Sequence, residues 1–249
     1  METKNIKSAT SLSTTTTTTT TNTSDHFIIQ QKKALRSKIR KDLKAMSPIQ
    51  RSQEDAAIQD LVLNSSWFKS SKGLCAYISC ESLREVDTSR ILSEILSSDY
   101  HGQIKKKLYV PRVEDKNSHM RMLNILSIED LIANSMNILE PAPTDVNGNQ
   151  REDVMHASEP VDLLLLPGLA FDRFGQRLGR GGGYYDVFLK KYQELATQRR
   201  WKQPLLVALS YSPQIMEGAI PVTPNDVTVD ALVSPAGVIP ISPAALEIM

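Results

Sequence analysis

Cysteine is scarce in this chain: 249 residues carry only Cys75 and Cys80. Their spacing is neither CxxC nor a zinc-ligand pattern, and two cysteines in so long a chain exclude a disulfide scaffold. On a strand, an offset of five sends two side chains to opposite faces. Both therefore read as small buried hydrophobes in a reducing compartment. No apolar run approaches the roughly 18 residues of a membrane-spanning helix; the longest, VDLLLLPG, is as long as one strand. A net charge of +1 excludes a global field that would draw in nucleic acid or a membrane surface, so any anion site is local. His26, His101, His119 and His156 form no HExxH and no ligand pair, and no GxSxG is present.

What is there begins with a segment of low complexity. Residues 1–24 include eight threonines in a row, Thr14 to Thr21, and such a composition cannot build a core, so a disordered tail is expected. It is poor in acids and rich in hydroxyls, like an organellar transit peptide, but lacks arginine. A mitochondrial address and a solvated tail of a cytoplasmic protein both fit. Residues 25–249 are expected to form one domain.

That domain reads as alternating helices and strands. Ile28, Leu35, Ile39, Leu43 and Met46 lie on one stripe at near-helical spacing, and Lys32, Lys33, Arg36, Arg40 and Lys41 lie opposite. Ser47, Pro48 and Gln50 supply the cap, first-turn proline and N3 residue of a second helix, to about Asn64. GLCAYIS, KLYVPRV, MRMLNI, PLLVALS and VDALVSP read as strands. A helix is expected from about Thr88 to Ser97, with Asp87 as cap. Ser127 and Asp130 form a capping box, predicting a short helix to Asn134. The stretch 141–160 is a polar surface loop. VDLLLLPG is a strand buried on both faces, as in the middle of a parallel sheet. This pattern predicts an α/β fold, a three-layer αβα sandwich with a mainly parallel sheet.

The segment after VDLLLLPG carries the chemistry. RLGRGGGYYD, Arg177 to Asp186, leads from a strand end into a helix expected over Tyr184 to Ala196. Strand carboxyl ends are where open α/β sheets bind ligands, and a helix N-terminus offers free N–H groups and partial positive charge. Gly179, Gly181, Gly182 and Gly183 let backbone approach a ligand. Arg177 and Arg180 add forked donors for phosphate or carboxylate. The loop is neither a Walker A sequence nor GxGxxG. A tight turn with solvated arginines is the plainer alternative, but four glycines followed by YYD exceed what a turn requires. Asp186 and Asp226 could supply the one or two carboxylates that Mg²⁺ takes beside phosphate oxygens and water.

LPGLAFDRFGQRLGRGGGYYDVFL resembles the signature of the 5-formyltetrahydrofolate cyclo-ligases, also called methenyltetrahydrofolate synthetases. Similarity runs from about Gln31 to Val233 and includes KKALRSKIRKDLKAMS, YIS, EVDT, LYVPRV, HMRML and IPVTPNDVTVDALV. The resemblance implies a fold similar to the NagB/RpiA/CoA transferase-like architecture. It also implies ATP- and Mg²⁺-dependent conversion of 5-formyltetrahydrofolate to 5,10-methenyltetrahydrofolate, giving ADP and phosphate. By position, Lys32 and Arg36 match the basic pair at the ATP phosphates. Arg177, Leu178, Gly179, Arg180, Gly181, Gly182, Gly183, Tyr184 and Tyr185 match the ATP loop. Ile78 and Glu85, with Arg180 to Tyr184, match folate-contacting positions. Arg180 and Tyr184 are the catalytic candidates, and Asp186 and Asp226 match the magnesium ligands. Many members read GRGKGYYD, with lysine where this chain has Gly182, so Gly182→Lys is expected to be tolerated.

The implied chemistry needs no enzyme nucleophile, which agrees with the missing Ser, Cys and His constellations. Phosphorylation of the formyl oxygen makes it a leaving group, and N10 then attacks within the same molecule at little entropic cost. The partners expected are a folate and ATP, with no nucleic acid and no membrane, and the chain is expected to be a monomer. A CoA transferase or sugar-phosphate isomerase would need a catalytic glutamate in its own motif, which is not seen. A non-catalytic folate- or nucleotide-binding protein would lose the metal aspartates, and both are present.

Overall fold

Leu163 to Leu166 sit at the middle of a seven-stranded sheet, each no more than 1% exposed. Successive side chains of a strand point to opposite faces. Leu163 and Leu165 thus join one core cluster, and Leu164 and Leu166 the other. Burying each contributes about 1.5–3 kcal/mol. The computed structural model describes residues 18–97, 105–135 and 137–249.

In chain order the helices are α1 (Thr18–Ala45), α2 (Pro48–Asn64), α3 (Ser66–Ser70), α4 (Ser89–Leu96), α5 (Tyr184–Gln198) and α6 (Pro243–Leu246). The strands are β1 (Gly73–Ala76), β2 (Lys107–Val113), β3 (Met120–Ile125), β4 (Leu131–Ala133), β5 (Leu139–Pro141), β6 (Leu163–Leu166), β7 (Ala170–Asp172), β8 (Arg177–Leu178), β9 (Leu205–Leu209), β10 (Ile215–Met216), β11 (Ala231–Ser234) and β12 (Gly237–Pro240). The main sheet runs β12-β11-β9-β6-β1-β2-β3. Its inner pairs are parallel, and an antiparallel strand closes each edge, β12 on β11 and β3 on β2.

Helices cover both faces. Ile39 and Leu43 of α1, Ile58 and Val62 of α2 and Ile91 and Leu92 of α4 pack on one. Phe188, Leu189 and Tyr192 of α5 pack on the other. This is the three-layer α/β sandwich that the alternating pattern predicts.

Not every local signal behaved as expected. Thr88, not Asp87, stands at the N-cap of α4, and Asp87 instead accepts from Ser89 N. The expected polar surface loop over 141–160 carries Val154 and Ala157 into the core. The Ser47 side chain accepts from Gln50 N and caps α2 behind Pro48. The Ser127–Asp130 capping box forms, but over a single 3₁₀ turn, Ile128–Asp130, and the chain then enters β4 instead of continuing as a helix to Asn134. Pairing of Leu131–Ala133 with Leu139–Pro141 won over local helix propensity. The first helix begins at Thr18, so it runs through the last part of the segment expected to be disordered, since adding a residue to an existing helix is far easier than nucleating one. Residues 1–17, the rest of that tail, lie outside the described residues. Cys75 and Cys80 are both buried and free, but the strand ends at Ala76. Cys80 therefore belongs to a loop, and the strand-face argument applies only to Cys75.

Candidate active site

β6 delivers the chain to Pro167 and Gly168 at the carboxyl edge of the sheet. The next residues form a small three-stranded sheet, β10-β7-β8, which the sequence pattern did not reveal. Leu169 N donates to Leu178 O at 2.8 Å, so the hairpin folds back and presents residues 179–183 above the edge.

The glycine loop is held from outside by its carbonyls. Arg36 Nε donates to Gly179 O at 2.8 Å, and Arg40 reaches Arg180 O at 3.5 Å. The Ser118 hydroxyl donates to Gly182 O. No N–H group from Gly179 to Gly183 donates a hydrogen bond among the described residues. Gly183 then serves as N-cap of α5 with no side-chain cap, so the first N–H groups of the helix are open too. Carbonyls tied back and amides left free make a nest for an anion. Gly181 at φ 115° and Gly183 at φ 69° need glycine for this course.

A different space opens on each face of the loop. The first, about 500 Å³, is lined by Lys32, Arg36, Gly179, Gly181, Gly183, Lys190, Asp186 and Asp226. The second, about 380 Å³ and mainly apolar, meets Ile78, Glu85, Pro111, Met120, Arg180, Gly182 and Tyr184. Arg180 Nε pairs with Glu85 Oε1 at 3.1 Å, and its guanidinium also donates to Leu83 O. Burial raises the Glu85 pKa, with Arg180 and the Cys80 N–H pulling against it.

The two aspartates approach through the chain between Thr223 and Val227. Asp226 Oδ2 takes Lys32 Nζ at 2.5 Å and the Thr223 hydroxyl at 2.8 Å. Asp186 Oδ1 takes Arg177 at 2.7 Å and Val227 N at 3.1 Å. Burial alone would raise the Asp226 pKa, but hydrogen bonds from Lys32 and Thr223 outweigh it and hold it below the usual carboxylate range. Burial, with repulsion from Arg40, lowers the Arg36 pKa, which Asp226 partly offsets.

Among the sequence-derived site residues, Lys32, Arg36, Gly181 and Asp226 border the first space, Ile78, Glu85, Arg180, Gly182 and Tyr184 border the second, and Gly179, Gly183 and Asp186 border both. Leu178 is different. It is 1% exposed and packed in the core, so only its backbone borders the loop. The Arg177 guanidinium is also buried, against Asp186, 5.8 Å above the Tyr185 ring, with Nε unpartnered. It orients a carboxylate more than it faces open space. The tolerance expected for Gly182→Lys does not fit this packing. A Cβ at 182 would come within 2.5 Å of the Tyr184 ring, whose hydroxyl donates to Asp115 O at 3.0 Å.

Ser118 and Asp115 went unnoticed in the sequence because they lie at the tip of the β2–β3 hairpin, and only the fold brings that tip over the loop. Lys190, which donates to Pro224 O and Asn225 Oδ1, is a further cation of the first face. Its position one turn after Asp186 on α5 was the signal available.

Known proteins converge on the same identification. The sequence profile of the 5-formyltetrahydrofolate cyclo-ligase family matches residues 28–235. A mitochondrial 5-formyltetrahydrofolate cyclo-ligase of Arabidopsis thaliana is 67% identical over 223 residues, 89% of this chain and 80% of that protein. The 5-formyltetrahydrofolate cyclo-ligase of Mus musculus is 32% identical over 202 residues, 80% of this chain and 91% of that protein. Among solved structures, the 5,10-methenyltetrahydrofolate synthetase of Aquifex aeolicus superposes with a TM-score of 0.65 at 28% identity, covering 84% of this chain and 92% of that one.

Proposed function

Because the chain belongs to the 5-formyltetrahydrofolate cyclo-ligase family, we propose that it converts 5-formyltetrahydrofolate to 5,10-methenyltetrahydrofolate with ATP as phosphoryl donor. One observation carries the mechanistic part of this reading: a single loop stands between a space rich in cations and carboxylates and an apolar one with a half-buried glutamate. A donor of phosphate and an acceptor ring would meet across it.

The free amides of residues 179–183 and the N-terminus of α5 would bind phosphate oxygens, with Lys32 and Arg36 adding charge. Asp186 and Asp226 suit magnesium. Among the described residues no cluster of three or more acidic, His or Cys ligands exists, and Mg²⁺ with a nucleotide takes only one or two carboxylates, the rest being phosphate and water. Among the described residues nothing donates to Asp186 Oδ2 or Asp226 Oδ1, so each aspartate keeps an oxygen to give. Bound there, the ion would neutralise charge on the phosphoryl group.

On the other face, Glu85 would meet the polar edge of the pterin, and Ile78, Pro111 and Met120 its apolar body. Arg180 borders this face, anchored by Glu85 and Leu83 O. Its remaining N–H groups would stabilise charge as phosphoryl passes to the formyl oxygen. The Tyr184 ring, closing the space over Gly182, would keep water from the phosphorylated formyl group until N10 attacks and phosphate leaves.

Near-ultraviolet absorbance of the methenyl product tests this reading. Product is expected from 5-formyltetrahydrofolate only with both ATP and Mg²⁺ present, and absence of product under those conditions overturns the reading. The name of the Arabidopsis relative supports a mitochondrial destination, with residues 1–24 as its address. Sequencing the N-terminus of protein recovered from cells decides between that and an uncleaved cytoplasmic chain. No helix of the described residues is long and apolar enough to cross a membrane.

A further inference from the structure

Helix α1 carries one cation that differs from its neighbours. Lys33, Arg40 and Lys41 are exposed, whereas Lys32 is buried. Its ammonium lies 2.5 Å from Asp226 Oδ2, with the two side chains 9% and 14% exposed. So little water reaches the pair that salt screens it only weakly. The family resemblance implies a phosphate contact for Lys32, yet among the described residues its hydrogen-bond partner is the carboxylate of Asp226.

The segment that bears Asp226 is fixed from two sides without Lys32. The Thr223 N–H and hydroxyl donate to the same Oδ2, and Asp226 N donates to Thr223 O. Lys190 of α5 holds Pro224 O at 2.9 Å and Asn225 Oδ1 at 3.1 Å. The carboxylate can therefore keep its place if Lys32 leaves it. Lys32 is the part able to move, since its ammonium ends a flexible four-carbon stem.

A divalent cation suited to Asp186 and Asp226 meets that ammonium as a competitor. Oδ1, the open oxygen, belongs to the carboxylate that Lys32 already holds, and two cations sharing one carboxylate repel. The charge of the whole space acts in the same direction. Lys32, Arg36 and Lys190 line it against Asp186 and Asp226, and the buried Arg177 adds a further cation at Asp186. A bare divalent ion would enlarge this positive excess. A polyphosphate reverses it and offers the Lys32 ammonium another anion.

We infer that Lys32 determines the form in which the site accepts its metal: the ammonium keeps a bare divalent cation off Asp226 and yields the carboxylate only when a polyphosphate takes the ammonium in exchange. This inference rests on the ATP and magnesium reading above. It makes Lys32 a gate for the metal–nucleotide pair as well as a phosphate ligand. Metal and nucleotide are then coupled, each strengthening the binding of the other.

The test uses Mn²⁺ in place of Mg²⁺, with the free ion counted by paramagnetic resonance, and an ATP analogue with a nitrogen bridge between its β- and γ-phosphates. In the wild-type chain, Mn²⁺ alone should leave the melting temperature unchanged, and Mn²⁺ with the analogue should raise it. In Lys32→Gln, the Kd for Mn²⁺ alone should fall about tenfold, while the Kd for the analogue at saturating Mn²⁺ rises about tenfold. Lys32→Arg, which keeps the charge, should bind Mn²⁺ alone as weakly as the wild type. Adding Asp226→Asn to Lys32→Gln should remove the gain, which places it at that carboxylate. Stabilisation of the wild type by Mn²⁺ alone as large as that by Mn²⁺ with the analogue overturns the inference, and this measurement needs no variant. An unchanged or weaker Mn²⁺ affinity in Lys32→Gln, or a gain that survives Asp226→Asn, overturns it too. None of these measurements contains a folate, so product formation by the wild type judges the cyclo-ligase reading separately.

Discussion

Arg36 donates to the carbonyl of Gly179 across 143 positions of sequence, at 2.8 Å. That one bond ties the first helix to the loop at the sheet edge, beside the space that Asp186 and Asp226 also line. Arg36→Ala would therefore lose a cation and also release the loop. Affinity for Mg²⁺-ATP is expected to fall about ten- to a hundredfold, corresponding to roughly 1.5–3 kcal/mol for a hydrogen bond from a charged group. Calorimetric titration of nucleotide decides it, and unchanged affinity would show that the helix holds the loop without serving the ligand.

Asp226 should be needed for the metal more than for the fold. Asp226→Asn is expected to raise the magnesium concentration for half-maximal activity and to depress turnover. A pH effect accompanies it. The folded-state pKa of Asp226 is held down, so the stability it contributes is fully present above the ordinary carboxylate value of about 3.9. That stability is lost as pH falls through the lower folded value. The gap in melting temperature between wild type and variant should thus narrow on acidification into that range. A gap that widens there would contradict the assignment.

Gly181 and Gly182 should fail for different reasons. Gly181→Val forces a branched residue to φ 115°, 3.7 Å from the Arg36 guanidinium, and is expected to abolish nucleotide binding. Gly182→Lys instead drives a Cβ into the Tyr184 ring. It should raise the KM for the folate more than that for ATP, because the displaced ring borders the apolar face. If both KM values stay at the wild-type level, the ring gives way freely and the loop accepts lysine after all.

Tyr211 should act through Glu85. Its buried hydroxyl donates to Asp55 at 2.7 Å and lies 3.1 Å from Glu85 O, so it fixes the segment that carries the Arg180 partner. Tyr211→Phe removes the hydroxyl from Asp55, whose Oδ1 keeps the Asp87 N–H, and should cost about 1–3 kcal/mol, visible in denaturant unfolding. The KM for the folate should rise and that for ATP should not. Loss of stability with both constants unchanged would reduce Tyr211 to a purely structural role.

The chain's own pattern determined the layers and the loop. VDLLLLPG could only be a strand covered on both sides, because four successive leucines have nowhere else to hide from water. RLGRGGGYYD, with four glycines before YYD, asks for more than a tight turn requires. Local chemistry also fixed the caps at Ser47 and Ser127. Three decisions were made by the tertiary structure. Whether residues after Asp130 wind or extend was settled by pairing with Leu139–Pro141, a contact no local signal encodes. The room beside Gly182 was settled by the Tyr184 ring and by Asp115, which anchors it from a distant hairpin. The sorting of loop residues between two faces, and of the α1 cations along their length, depends on how that helix crosses the sheet edge. Sequence spacing sets which side chains share a helix face, but only packing sets what that face meets.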